Sequence, residues 1–298
     1  TAMKPYWPRV AAMAVESTYN WYWFVDGLKE QGRDIRLANP AKIAQYEGIK
    51  QTDDLSDAAW LAEMLRLGIL PECYVYPKEI RPIRDALRRR QIFVRQRTQS
   101  LLSLQAFFAR SGLDEPTAAE LKSWTEAELD ALHLGAFDQL QAASLLESVR
   151  QADRLAGRIE REVLAVANPV ADFQTIQQIP GVGPILGLTI LLESGSFARF
   201  PSAGHFASYC RAVPSERQSN GKKKGQNNRK NGNAYLGWAF IEAVAHAIVH
   251  YPRIRAWYDR KKRRRGSSVA FKALAAKLAK ATWLVMQGKV YNERMLFG

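Results

Sequence analysis

The beginning of the chain alternates between short apolar runs and segments with helical periodicity. Residues 10–15 are continuously apolar and end at Glu16, which predicts a buried strand that closes on a carboxylate. A helix is expected over residues 21–31 and a second strand over residues 34–38, and the apolar positions of residues 55–67 again follow a helical repeat. Strands that alternate with helices in this way indicate an α/β domain.

Two longer segments, residues 80–110 and 137–166, contain a single glycine, Gly157, and carry apolar stripes at heptad-like spacing. In the second segment the steps are four, three, four, three and four residues: Leu145, Val149, Ala152, Ala156, Ile159 and Val163. This pattern predicts a helical hairpin of the coiled-coil type, whose stripes either pack within one chain or join two copies. Between the two segments, residues 125–128 have the capping-box sequence Thr-Glu-Ala-Glu, which predicts a minor helix.

The last part of the chain follows a helix break at Asn168-Pro169 and is mostly helical in its periodicity. Loops are expected over residues 211–233 and around residues 260–268. The chain is thereby divided into an α/β domain, a helical connector and a mostly α-helical domain: residues 1–78, 79–167 and 168–298.

Composition excludes wholesale disorder, because 47% of the 298 residues are hydrophobic. The longest apolar stretches are broken by charge before they reach the length of a membrane span, so a cytoplasmic chain is expected. The two cysteines, Cys73 and Cys210, match no paired zinc or disulfide spacing and are expected to be buried apolar residues in a reducing compartment.

The positive charge is concentrated in the last third of the chain. The whole sequence has 43 Lys and Arg against 29 Asp and Glu, a net charge of +14. From Arg199 onward there are 21 basic and 4 acidic residues, a net charge of +17, so the preceding 198 residues carry −3. Such a one-sided excess indicates a polyanion partner, and nucleic acid is favoured over a membrane surface because the basic runs lack an amphipathic aromatic face.

Three carboxylates form the first candidate for chemistry. Glu16 closes the first predicted strand, and Asp54 and Asp57 lie on one face at the start of a helix. Clustered carboxylates repel one another unless a hard cation neutralises them, so magnesium and metal-assisted phosphoryl transfer are indicated. The alternative is that Asp53 or Asp54 caps the helix and that Glu16 pairs with an arginine.

Residues 179–184, Ile-Pro-Gly-Val-Gly-Pro, have the signature of a helix-hairpin-helix between two apolar helical segments. Gly181 and Gly183 permit a tight turn whose backbone N–H groups, together with the next helix N-terminus, could hold a DNA phosphate. The alternative is a turn between two packed helices.

Residues 214–233 are too polar for a core and too rich in glycine for a helix. They contain two hydroxyl nucleophiles, Ser215 and Ser219, among cations that could activate a serine and hold a phosphodiester backbone. These cations are Arg217, Lys222, Lys223, Lys224, Arg229 and Lys230. The alternative is that both serines only make hydrogen bonds within turns.

A second basic run consists of Lys261, Lys262, Arg263, Arg264 and Arg265 and is expected either to contact phosphates or to be a solvated helix end. Glu242, His246 and His250 recur at four-residue spacing, but they lack the metalloprotease pattern and a cysteine partner. They are therefore interpreted as ordinary helix residues rather than as zinc ligands.

Five motifs together resemble the insertion-sequence "one-ten" family of transposases, the bridge-RNA-guided serine recombinases. In order along nearly the whole chain they are residues 15–23, 38–40, 52–58 and 179–184 and Ser219. The resemblance implies a RuvC-like (RNase H-like) α/β domain with a DEDD set of metal-binding acids, a coiled-coil connector, and a mostly α-helical transposase domain with a helix-hairpin-helix. In that last domain a serine becomes joined to a DNA 5′ phosphate.

By this resemblance the family glutamate falls on Glu16, its Asp-x-x-Asp pair on Asp54 and Asp57, and its nucleophile on Ser219, with Ser215 as the fallback. The family's first aspartate lies on a strand upstream of the glutamate, whereas only fifteen residues precede Glu16 here and none is acidic. The RuvC-like domain is therefore expected to be incomplete at its N-terminus, as in a truncated chain.

The expected function is that of a bacterial, nucleoid-associated DNA recombinase with Mg²⁺ or Mn²⁺ as cofactor. DNA and a guide RNA are the expected partners, and a dimer or tetramer is the expected assembly. Two alternatives stay open: a metal-dependent, structure-specific nuclease that uses water as nucleophile, and a catalytically inactive nucleic-acid-binding remnant.

Overall fold

A computed structural model describes residues 4–43, 53–167, 171–213, 217–225 and 231–298. The protein is mostly helical, with a small parallel sheet near its N-terminus. It divides into two compact units. The first comprises residues 1–79 and 214–232, and the second comprises residues 80–213 and 233–298.

The sheet of the first unit joins strand β1 (Met13–Glu16) to strand β2 (Ile35–Ala38) in parallel, with helix α1 (Trp21–Glu30) as the crossover. Glu16 lies opposite Ala38 at the carboxyl ends of the strands. The strand predicted over residues 10–15 is shorter than expected and half-buried rather than buried, because within the described residues it has one neighbouring strand. The core of this unit contains the buried side chains Val25, Leu28, Ile35 and Leu37.

Helix α2 (Asp54–Arg66) begins at a capping box in which Asp53 and Ser56 exchange side-chain and backbone hydrogen bonds. The helix predicted over residues 55–67 agrees with α2 to within one residue at each end. Helix α2 contacts strand β1, so its first turn belongs to the same small α/β unit as Glu16.

The second unit starts with two long helices, α3 (Arg81–Arg110) and α6 (Ala136–Ala167), which pack against each other. They are antiparallel, since Arg90 bonds Glu160 at 2.8 Å while Arg110 bonds Gln141 at 2.9 Å. In the predicted stripe of α6, Val149, Ala152, Ala156 and Val163 are buried, and Leu145 and Ile159 are partly buried.

Two short helices, α4 (Ala118–Ser123) and α5 (Glu126–Asp130), lie between the long ones along the chain. The capping box predicted at residues 125–128 is present, with Glu128 accepting from the Thr125 backbone N–H at 2.7 Å. Leu121 and Leu129 are fully buried with Phe107 and Phe108, so these helices close one end of the hairpin.

The rest of the second unit is a helical bundle around the aromatic residues Phe206 and Phe240. Its helices are α7 (Ala171–Ile176), α8 (Pro184–Ser194), α9 (Ala203–Tyr209), α10 (Ala234–His250), α11 (Pro252–Arg265), α12 (Ser267–Met286) and α13 (Glu293–Phe297). Between α9 and α10 the chain forms a hairpin of strands β3 (Arg217–Ser219) and β4 (Lys222–Gly225), which belongs to the first unit.

The loop predicted around residues 260–268 is wrong. Helix α11 continues through the basic run to Arg265, and α12 begins at Ser267, so the break is the single residue Gly266 with φ of +83°. Lys and Arg are good helix formers, and cations are favourable in the last turn of a helix, which explains why the charged run stays helical. No helix in the described part of the chain is long and apolar enough to cross a membrane.

Candidate active site and nucleic-acid contacts

The three predicted acids lie at the ends of two neighbouring elements. Glu16 is exposed at the end of β1, and Asp54 and Asp57 lie in the first turn of α2. Asp53, not Asp54, is the capping residue, and its bond from the Ser56 backbone N–H lowers the pKa of Asp53. Within the described ranges Glu16 has no ion-pair partner, which leaves it available for another ligand.

Asp57 has a feature that capping does not explain. Its side chain is half-buried, and its Oδ1 atom is shielded from solvent without a hydrogen-bond donor among the described residues. A buried carboxylate oxygen without a donor is costly, and a cation is one way to satisfy it. The described residues nevertheless contain no group of three or more His, Cys, Asp or Glu side chains placed to hold a metal, so Glu16, Asp54 and Asp57 do not form one cluster.

The two glycines of the predicted helix-hairpin-helix differ in what they contact. Gly181 has a φ of +77°, and a Cβ atom there would lie 2.0 Å from the carbonyl oxygen of Ala243 in α10. Gly183 has a φ of −83°, caps α8, is exposed, and has open space where a Cβ would go. Gly181 is therefore required for packing, and the exposed N-terminus of α8 at Gly183 is the part of the turn that a phosphate can approach.

The candidate nucleophile lies on the β3–β4 hairpin. Ser219 is the last residue of β3 and pairs with Lys222, the first residue of β4. Asn220 and Gly221 form the turn with φ of 53° and 68°, the left-handed conformation that a two-residue hairpin of type I′ requires. The expected irregular loop is therefore an ordered hairpin at this point, and its backbone holds Ser219 beside an exposed turn.

Of the serine segment, residues 214–233, the structure describes residues 217–225 and 231–233. Ser215, Arg229 and Lys230 lie outside the described residues. Arg217, Lys223 and Lys224 are described through their backbone, as members of β3 and β4, and Lys222 is exposed.

The end of the serine segment is anchored by Asn233. Its backbone N–H donates to the Tyr209 carbonyl at 2.7 Å, so the chain re-enters the bundle next to where it leaves α9. Its side-chain Oδ1 caps α10 by accepting from the backbone N–H of Tyr235 and of Leu236. The Nδ2 group donates to Glu193 Oε2 at 2.7 Å, which ties the base of the segment to α8.

Glu193 is a buried carboxylate that sequence reasoning missed. Its side chain is 2% exposed and bonds the guanidinium of Arg84 at 3.1 Å and of Arg88 at 2.5 Å. Burial raises the pKa of Glu193, but the hydrogen bond from Arg88 and the two positive charges outweigh it, so the pKa lies below its ordinary value. Two features of the sequence could have indicated this ion pair: Glu193 is the only acid in the apolar helix α8, and Arg84 and Arg88 lie four residues apart in α3.

The C-terminal basic run lies at the end of α11. Lys262, Arg263 and Arg264 are exposed and Lys261 is half-buried, as suits phosphate contacts. Together with Trp257 and Arg260, three of these residues (Lys261, Arg263 and Arg264) line an open cleft of about 650 Å³.

Glu242 accepts a hydrogen bond from Trp238 Nε1 at 3.1 Å, in agreement with its interpretation as an ordinary helix residue.

Two family models match different parts of the chain. Residues 8–112 match a DEDD model of the IS110 type described as "Transposase", and residues 173–259 match the model described as "Transposase IS116/IS110/IS902 family". The first covers most of the N-terminal α/β segment and all of α3, and the second covers the glycine turn, the serine hairpin and the first eight residues of α11.

Three proteins that are named as transposases are similar to this chain over most of its length. The "probable family 20 transposase" of Pseudomonas aeruginosa is 24% identical over 285 residues, which cover 92% of this chain and 83% of that protein. The transposase for insertion sequence element IS1111A of Coxiella burnetii is 24% identical, covering 90% and 74%. The transposase for element IS1328 of Yersinia enterocolitica is 25% identical, covering 94% and 85%.

Proposed function

The chain belongs to the IS110 family of DNA transposases, as its motifs predicted, and on this premise we propose that it cuts and rejoins DNA through a phosphoserine intermediate at Ser219. The Ser219 oxygen attacks a backbone phosphorus, the Oγ–P bond forms as the P–O3′ bond breaks, and the serine proton ends on the released 3′-hydroxyl. Attack by a 3′-hydroxyl of another strand reverses these steps and rejoins the DNA. The observation that carries the proposal is the hairpin, which holds Ser219 beside an exposed turn.

The charges around the hairpin suit this chemistry. A pentavalent phosphorus carries additional negative charge on its oxygens, and fixed cations stabilise it. Arg217 and Lys222–Lys224 occupy the same two strands as Ser219, and the run at the end of α11 adds exposed cations elsewhere for holding DNA. Gly183 at the start of α8 supplies a further phosphate contact of the helix-hairpin-helix kind.

A divalent cation, Mg²⁺ or Mn²⁺, is proposed for the acids of the first unit. The carboxylates of Glu16, Asp54 and Asp57 are hard oxygen ligands, and the donorless Oδ1 of Asp57 supports a cation there. The described residues do not complete a set of ligands for this cation. By resemblance to the family, we also propose that the protein binds a guide RNA and acts as a homo-oligomer.

Ser219→Ala tests the nucleophile. On a nicked suicide substrate, whose cut strand diffuses away, we expect the parent protein to leave a protein–DNA adduct that survives denaturing electrophoresis and the variant to leave none. Ser215→Ala is the matched control and is expected to retain the adduct. An adduct in Ser219→Ala that disappears in Ser215→Ala would move the nucleophile to Ser215.

The same gel separates the two remaining alternatives. Cut strands without bound protein, in the parent chain with Mg²⁺ or Mn²⁺, would identify a nuclease that uses water. DNA binding with neither cuts nor adducts would identify an inactive binding protein.

A further inference from the structure

All four arginines of α6 lie on one face of that helix. Arg150, Arg154, Arg158 and Arg161 are separated by four, four and three residues, which keeps them within about 80° of arc at roughly 100° per residue. The buried residues of α6, Ala152, Ala156 and Val163 among them, are on the opposite face, against α3. The arginines therefore point away from the helix pair.

The acids of α6 mostly point elsewhere. Asp153 pairs with Arg97 and Glu160 pairs with Arg90, so both neutralise arginines of α3 rather than those of their own helix. Glu147 lies on the same face as the arginines, three residues before Arg150, and Glu162 lies at the edge of that face next to Arg161. The charge of −3 for residues 1–198 thus conceals a surface on which cations dominate.

These side chains are available to a ligand. Arg154, Arg158 and Arg161 are exposed and have no ion-pair partner among the residues that the structure describes. Arg150 is partly buried and bonds the Trp124 carbonyl. Together with Arg154 and Lys122 it lines an open cleft of about 750 Å³, whose lining also includes Glu126 and Asp153. Lys122 of α4 thereby extends the row of cations past the end of the α6 arginines.

We propose that this arginine row, defined as Lys122 and the four arginines of α6, binds the phosphodiester backbone of a nucleic acid as a second contact surface, separate from the serine hairpin. From Arg150 to Arg161 the helix rises by about 16 Å, a length of duplex axis along which one strand carries about five phosphates at a rise of roughly 3.4 Å each. Guanidinium groups suit this partner because they bind phosphate oxygens in a bidentate manner. This proposal depends on the proposed transposase function in one respect, namely that the partner is a nucleic acid.

The test compares two double variants of the same hairpin, both in a Ser219→Ala background so that covalent chemistry does not contribute. Arg154→Gln/Arg158→Gln removes two charges from the row, and Arg89→Gln/Arg95→Gln removes two exposed charges from α3. Binding to a DNA duplex and to an RNA duplex of equal length is measured between about 50 and 200 mM salt, the range over which proteins that contact several phosphates lose most of their affinity.

For the nucleic acid that occupies the row, we expect the first double variant to reduce the slope of log K against log salt by about 2, and the control to change it by less than about 0.5. The DNA and RNA arms show which backbone is the ligand. Arg154→Lys/Arg158→Lys, which keeps the charges, should restore most of the slope.

Equal losses in both double variants on both duplexes would overturn the arginine row, because they would indicate general attraction to a positive protein. Circular dichroism melting checks that the exposed substitutions leave α6 folded. The adduct gel tests the role of Ser219, and the salt dependence of binding tests the arginine row. Either proposal can therefore fail without the other.

Discussion

Gly181 and Gly183 are two residues apart in one turn, but they meet different surroundings. At Gly181 the positive φ, and the 2.0 Å that would separate a Cβ atom from the Ala243 carbonyl oxygen, leave no room for any other residue. At Gly183 the backbone conformation suits alanine, and nothing lies within 4 Å of the Cβ position. Gly181 is therefore required for folding, whereas Gly183 lies where a DNA phosphate can approach the start of α8.

This difference gives a matched pair of variants. Gly181→Ala is expected to lower the free energy of unfolding by more than about 3 kcal/mol, through overlap and backbone strain. Gly183→Ala should cost less than about 1 kcal/mol and instead weaken DNA binding, because its methyl group obstructs the start of α8. Urea unfolding and DNA titration measure the two effects, and unchanged DNA affinity in Gly183→Ala would argue against a phosphate at this helix end.

Glu193 makes the stability of the helical unit sensitive to acid. Its pKa is lowered in the folded protein, so its contribution is fully present above the ordinary value of 4.5 and is lost as the pH falls through the folded pKa. Glu193→Gln leaves the buried Arg84 and the half-buried Arg88 without this carboxylate and should cost about 3–5 kcal/mol at pH 7. Near pH 3 the difference between parent and variant should shrink.

Urea unfolding at several pH values measures this effect. Glu162→Gln, at an exposed position on α6, is the control and should change the free energy of unfolding by less than about 0.5 kcal/mol at any pH. A cost for Glu193→Gln that stays constant down to pH 3 would contradict the assignment.

At the scale of elements, the serine segment is an insertion in the helical bundle. The hydrogen bond from Asn233 to Tyr209 closes its base, and residues 214–232 group with the first unit rather than with the helices that flank them. Helices α9 and α10 contribute Phe206 and Phe240 to the hydrophobic core of the second unit. The bundle should therefore fold without the segment.

Replacing residues 214–232 by a short Gly-Ser linker tests this expectation. The melting temperature of the helical unit should change by only a few degrees, since shortening a closed loop has a small entropic effect. DNA adducts should be lost completely. A Gly-Ser segment of the original length is the control for chain length, and collapse of the helical signal in both variants would show that the bundle depends on the hairpin.

Across the whole molecule, charge is arranged in two ways. The C-terminal third carries its excess in the sequence itself, on the serine hairpin and at the end of α11. Residues 80–167 are close to neutral in sequence, with 13 basic and 12 acidic residues. The arginine row nevertheless gathers cations on one face of α6, while Asp153 and Glu160 pair with arginines of α3. A transposase handles long polyanions, and both surfaces are suited to that partner.

The sequence by itself determined most of the helices, the two N-terminal strands, the turn glycines and the family, because periodicity, caps and motifs are local properties of the chain. Residues 55–67 and the capping box at 125–128 illustrate this. Tertiary structure alone decided which glycine is indispensable, where Glu193 finds its arginines, and that Asp153 and Glu160 pair with arginines of α3. Glu193 and Arg84 are 109 residues apart, and Gly181 meets Ala243 of another helix. Such contacts depend on how helices pack against each other, which no local pattern specifies.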